Sequence, residues 1–305
     1  MSRARRVPPR TDVPSRRAAL AALLLGASAI GLSPIFVRLS ELPPTATAFH
    51  RTFLALPLLA LWASRRPVPA AARPGDRAVL VLAGLAFAGD LGFWHWSIRF
   101  TTVANATLFA NLAPVFVTAG SYLLFGQRPT RLFLAGLALA LAGAAVLMGD
   151  SLSLSRRQLA GDALGVVTAL FYAGYLLSVS RLRARLPAAR IMATTALVTS
   201  AALLPVALAS GERLVPATAR GWLVLIGLAV VSHSGGQGLI AYALAYLPAS
   251  FSAVALLVQP VMAALFAWAI LGEPVGWRQG AGGVMVLAGI AVARRAALGT
   301  PRASG

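Results

Sequence analysis

Ten apolar stretches follow one another along this chain, separated by short polar connections. They cover residues 18–37, 45–63, 78–98, 104–125 and 132–148, then 163–180, 191–209, 221–246, 251–271 and 280–293. A membrane-crossing helix needs about 20 apolar residues, and inside hydrocarbon only helices and closed barrels satisfy their own backbone. The pattern predicts an all-α integral membrane protein with ten transmembrane helices. Composition agrees, because 58% of the 305 residues are hydrophobic and 11% are charged, whereas a soluble domain carries about 25% charged residues. One water-soluble core cannot hide that much apolar surface, which excludes an ordinary soluble enzyme.

A formal net charge of +19 taken alone points to nucleic acid. All 27 basic residues are Arg, however, and they sit in short runs between the apolar stretches. With the N-terminus in the cytoplasm, the inner tails and loops hold 19 Arg and the outer loops 7, with Arg51 inside a span. That asymmetry follows the positive-inside rule. It predicts a multi-pass protein of a bacterial cytoplasmic membrane with both termini inside, and no nucleic-acid partner. The chain has no Cys, and its three His (His50, His95, His233) lack ligand-spaced partners, so neither a structural metal nor another cofactor is expected.

Ser15-Arg16-Arg17 ahead of an apolar run with Ala27-Ser28-Ala29 loosely imitates a cleavable leader. The run is long enough to span and nine more follow, so it reads as an uncleaved first span. Residues 1–17, rich in Arg and Pro, read as a disordered basic tail. Residues 149–162 read as a linker between halves 18–148 and 163–293, and 294–305 as a C-terminal tail.

The halves repeat at an offset of 146 residues. Asn111-Leu112-Ala113-Pro114-Val115 matches Leu257-Val258-Gln259-Pro260-Val261, and Phe125-Gly126-Gln127 matches Leu271-Gly272-Glu273. Ala135-Gly136 then matches Ala281-Gly282, and Leu141-Ala142-Gly143 matches Leu287-Ala288-Gly289. Five spans per half is an odd number, so the second half must insert upside down. Two inverted five-helix repeats are a recurrent plan of secondary transporters.

Ser252, Ala253 and Ala255 ahead of Gln259-Pro260, then Leu271-Gly272-Glu273-Pro274, Gly282 and Ala288-Gly289, resemble the EamA type of the drug/metabolite transporter superfamily. His50-Arg51-Thr52-Phe53-Leu54-Ala55 resembles the Arg-Phe stretch of that family's second span, while Gln127 stands where the first repeat usually has Glu. The resemblance covers roughly residues 18–293. It implies a carrier with helices around a central cavity, moving small metabolites, often outward.

Asp90 lies well inside the third span, where an ionisable group costs about 2.5–3.5 kcal/mol on insertion scales. Arg51 in the second span lies at a depth that differs by only about 3 Å at 1.5 Å per residue. The two can meet across adjacent antiparallel helices, with His50 nearby, either as a substrate-binding, proton-sensitive cluster or as a structural ion pair. Trp94 shares the face of Asp90 at i+4; an aromatic cavity wall and an interfacial belt are both compatible with it, and the belt suits Trp96 better. In the eighth span Ser232-His233-Ser234-Gly235-Gly236-Gln237-Gly238 reads as a Gly-rich break near a binding site or as helix-packing glycines. Asn111 and Gln259 stand just before Pro114 and Pro260, where proline frees a carbonyl one turn earlier. Their amides can face substrate or bond between helices. Tyr172 and Tyr175 are further candidates for the lining, and Glu273 reads as a structural residue at a helix end.

These features predict a secondary transporter, exporting small polar or zwitterionic metabolites by alternating access. The expected substrate-binding set is Asp90, Arg51, His50, Trp94, Asn111, His233, Gln237, Gln259 and Tyr172. The expected partners are a small-molecule substrate and membrane lipid; coupling to protons rests on Asp90 and the His residues, and a homodimer is left open. Two other classes fit the residues less well. A membrane-embedded lipid-modifying enzyme needs clustered acid, base and nucleophile, yet the eight acids are scattered and no Gly-x-Ser-x-Gly occurs. A purely structural membrane protein has no need of a mid-span Asp.

Overall fold

Prolines decide where the spans of this protein bend. The computed structural model describes residues 16–65, 73–101, 103–148 and 156–299, so most of the N-tail, linker and C-tail expectations lie outside the described residues. Among the described residues ten helices are long and apolar enough to cross a membrane. In chain order these are α1 Arg16–Leu39, α2 Pro44–Ser64, α3 Asp76–Phe100, α4 Asn105–Phe125 and α5 Arg131–Met148. The second half contributes α6 Arg157–Arg183, α7 Ala188–Ala209, α8 Ala219–Ala243, α9 Ala249–Leu271 and α10 Trp277–Leu298.

Four of these helices are interrupted just ahead of a proline: α1 at Leu32 before Pro34, α2 at Leu54–Ala55 before Pro57, α4 at Asn111–Leu112 before Pro114, and α9 at Leu256–Leu257 before Pro260. Proline has no N–H and its ring clashes with the preceding turn, so the ladder tightens there. Leu112 N–H bonds Phe109 O at 3.1 Å and Gln259 N–H bonds Leu256 O at 2.9 Å, both three residues back. Pro205, by contrast, is carried inside α7 without ending it. The Gly-rich stretch of α8 does not break either. It widens into a π-helix from Leu228 to Gln237, a form often found at functional sites.

The helix α6 begins at Arg157, well inside the stretch that reads as linker. Local polarity is overridden there by tertiary contacts: Thr101 donates to Asp162 at 2.8 Å and Ser97 donates to the Gly161 carbonyl at 2.6 Å.

The repeats are inverted and interlocked. Helices α3 and α6 pack along one another, and so do their counterparts α8 and α1, while α5 packs along α10. The α5–α10 seam depends on glycine. A Cβ on Gly136 would strike the Gly289 carbonyl and the Ala293 amide, and one on Gly289 would strike the Gly136 carbonyl and the Ala140 amide. Gly143 and Gly282 oppose each other in the same manner. Without side chains the two backbones come within reach of weak Cα–H···O contacts.

Arg16 Nη1 donates to the Leu298 carbonyl at 3.5 Å, so the first and last spans meet at one end of the bundle. At this termini end Arg185 pairs with Asp76 at 2.7 Å, and Arg183 donates to the Ala241 and Leu186 carbonyls. At the opposite end Arg38 pairs with Glu273, Arg99 pairs with Glu212 at 2.6 Å, and Glu41 accepts from Thr218 and from the Ala217 amide. These bonds join helix ends and connections that alternate traversal of ten spans brings to the same end.

Candidate functional site

Three of the proline interruptions, those of α1, α4 and α9, and the π-helix border one cavity. A cavity of about 150 Å³ lies between α1, α2, α3 and α4 of the first repeat and α6, α8 and α9 of the second. Its lining runs from mid-bundle, at Phe87, Tyr172, Gln237 and Gln259, to Val37, Thr47, Trp94 and Thr107 nearer the end opposite the termini. The half nearer the termini is filled instead. Leu23, Leu59, Tyr175, Leu182, Ile191, Met192, Ile240 and Phe251, from six different spans, are fully buried there.

Of the nine residues expected in the site, seven line this cavity: Arg51, Asp90, Trp94, Asn111, Tyr172, Gln237 and Gln259. The expected direct contact between Arg51 and Asp90 is not made. Both side chains line the cavity, but no ion pair within 4 Å joins them, and Arg51 Nε has no hydrogen-bond partner. The Arg51 guanidinium carbon instead lies 6.0 Å from the centre of the Phe87 ring, within cation–π range. The Asn111 and Gln259 amide nitrogens and both polar atoms of Gln237 are buried without partners. Buried polar groups are almost always bonded, so a group of four unsatisfied side chains in one cavity marks a place where something polar binds. Tyr172 faces Gln237 and Gln259, and Trp94 donates to Thr107 at 3.4 Å across the α3–α4 hairpin.

His50 and His233 lie outside the lining. The Nδ1 of His50 bonds the Ala46 carbonyl at 2.9 Å, and its ring stands edge-on to Trp222 at 5.9 Å. His233 is buried, its ring 5.5 Å from that of Phe87 and so behind the cavity wall. The lining histidine is His95, which sequence reasoning passed over. Its Nδ1 donates to the Leu91 carbonyl, which leaves Nε2 as an acceptor without a partner. Its position five residues after Asp90, one residue past the shared helical face, was the signal available. Ser33 and Phe87 also line the cavity; Pro34, one residue on, was the cue for Ser33, and nothing in the sequence distinguished Phe87 from other apolar positions. Trp96 is 46% exposed, as an outward-facing aromatic would be. Among the described residues no three metal-ligating side chains converge.

A charge-lined cavity between interlocked inverted repeats of broken helices defines a class, that of multi-pass membrane transporters. A sequence model of the EamA-like transporter family matches residues 17–149 and 159–295, one match per repeat. The chain belongs to that family. It is 31% identical to an uncharacterized transporter of Archaeoglobus fulgidus over 275 residues, 90% of this chain and 96% of that protein. It is 29% identical to the pseudopaline exporter CntI of Pseudomonas aeruginosa over 84% of this chain and 88% of that one. A solved crystal structure shares the fold, with a TM-score of 0.78 at 18% identity over 93% of this chain and 98% of that chain.

Proposed function

We propose that the protein is a secondary transporter that exports a small metabolite across the cytoplasmic membrane by alternating access between its two repeats. The observation that carries this reading is the separation of Arg51 and Asp90. A structural ion pair would be closed, because an unpaired charge in a span is expensive. Two opposite charges held apart in one cavity, with unbonded amides around them, instead await a ligand that supplies both missing partners. A zwitterion, or a molecule with one acidic and one basic group, does so.

The cavity lies toward the end opposite the Arg-rich termini, with packed side chains on the other side. In the expected orientation this is an outward-facing state, from which an exported substrate is released. The exporter named among the relatives supports the outward direction. Asp90, with no ion-pair partner of its own, is the group through which proton coupling would act, alternately protonated and engaged by substrate.

The test is a screen of toxic metabolite analogues, comparing a strain lacking the protein with one that overproduces it. Overproduction is expected to protect against the exported class. The Asp90→Asn variant, present at equal amount, is expected to lose that protection. Full protection by Asp90→Asn would overturn the assignment of this cavity as the site. An export rate indifferent to an imposed pH gradient would remove proton coupling.

A further inference from the structure

At the termini end the first turn of α1 and the last turns of α10 form a second groove, of about 470 Å³, far from the transport cavity. Arg16 and Arg17 enter it from α1, and Arg294 and Arg295 enter it from α10. Between them lie Leu20, Ala291 and Leu298. The spacing is that of continuous helix faces: Arg17 and Leu20 are three apart, and Ala291, Arg294 and Leu298 are three and four apart. Each face therefore carries guanidinium groups above an apolar floor.

Four like charges in one groove repel one another unless an anion lies among them. The protein does not supply one among the described residues. All six of the described carboxylates are accounted for elsewhere: Glu41 is held by Thr218, Asp76 by Arg185, Asp162 by Thr101, Glu212 by Arg99 and Glu273 by Arg38, while Asp90 lines the cavity. Nor is the groove a loose edge, because Arg16 reaches across it to the Leu298 carbonyl and ties the two helices together.

We propose that this groove is a binding site for one anionic phospholipid. Its phosphate is held by Arg17, Arg294 and Arg295, and an acyl chain lies on Leu20, Ala291 and Leu298. Guanidinium groups suit this task because their planar fork binds phosphate oxygens in pairs. The apolar floor and the position at the end of two spans fit a lipid, which carries its own hydrocarbon, rather than a soluble anion. Basic pockets between spans on the cytoplasmic side are where anionic headgroups concentrate. The bound lipid joins the first span of one repeat to the last span of the other.

The experiment is native mass spectrometry of the purified protein titrated with phosphatidylglycerol and, separately, with phosphatidylethanolamine of the same chains. The wild type is expected to retain phosphatidylglycerol preferentially. The R17Q/R294Q/R295Q variant, which keeps Arg16, is expected to weaken that binding about tenfold or more while phosphatidylethanolamine is unaffected. Ala291→Trp, at an exposed position, keeps every charge and fills the floor; it is expected to weaken binding too, and it carries the test alone should the triple variant fail to fold. Unchanged phosphatidylglycerol binding in both variants would overturn the site. So would an equal loss in R77Q/R128Q/R131Q, which removes three charges elsewhere at the same end. Displacement of the lipid by equimolar glycerol phosphate would make the groove a soluble-anion site and overturn the lipid assignment.

Discussion

The rings of Phe87 and His233, one from each repeat, meet at 5.5 Å between centroids. They sit on α3 and α8, the third spans of the two repeats. The contact lies beside the cavity, since Phe87 lines it and also lies under Arg51. The charges do not obey the symmetry. Arg51 and Asp90 both belong to the first repeat, and none of the second-repeat residues lining the cavity is charged, so the first repeat alone supplies both ions of the cavity.

Neutralising either charge separates a binding role from a structural one. Because Arg51 and Asp90 are not paired, Asp90→Asn and Arg51→Gln are each expected to leave the thermal midpoint in detergent unchanged or raised. Removing a carboxylate that bonds a charged ligand costs about 1.5–3 kcal/mol, so export by Asp90→Asn should fall about tenfold or more. A fallen midpoint in both variants would mark a structural pair instead.

The α5–α10 seam should tolerate no side chain. Gly289→Leu is expected to destabilise the protein by about 1–3 kcal/mol or more through overpacking. Gly280→Ala, where a Cβ would meet nothing within 4 Å, is the matched control. Thermal unfolding of the two variants in the same detergent decides the comparison.

Topology can be read directly, because the chain has no Cys. Arg213→Cys is expected to react with a membrane-impermeant thiol reagent on intact cells. Arg295→Cys is expected to react only after permeabilisation. The reverse pattern would invert the orientation, and with it the direction in which the cavity faces.

Acid should loosen one connection at the end opposite the termini. The hydroxyl of Thr218, then the amides of Ala217 and Thr218 and the charge of Arg213, hold Glu41 below the usual glutamate value against some desolvation. A depressed carboxylate stabilises the fold above its unfolded pKa of about 4.3, and that contribution is lost as pH falls through the lower folded value. Glu41→Gln should therefore unfold at a lower temperature than wild type at neutral pH. The gap should close below about pH 4, as circular dichroism melts at both pH values would reveal.

Spans, repeats and much of the cavity were legible in the chain because hydrocarbon imposes simple rules. Length fixes the spans, and proline beside an amide fixes where Asn111 and Gln259 find unbonded neighbours. Helix rotation was not legible, because a span that is apolar all round carries no amphipathic stripe to orient it. That is why His50 and His233 were expected in the cavity and His95 was not. Packing decided each: the Ala46 carbonyl and Trp222 hold His50 in place, and the π-helix brings Gln237 to the cavity while His233 meets Phe87. The start of α6 was hidden for a similar reason, since Thr101 and Ser97 stabilise it from another span.

The glycine seam is symmetric residue by residue. Rotating the molecule about its pseudo-axis turns the Gly136–Gly289 contact into the Gly282–Gly143 contact, and both are already present. Such an interface is its own image. Neither α5 nor α10 contributes to the cavity lining. In the proposed alternating-access cycle the seam would serve as a fixed axle, leaving the cavity helices free to diverge in chemistry without altering the part about which they turn.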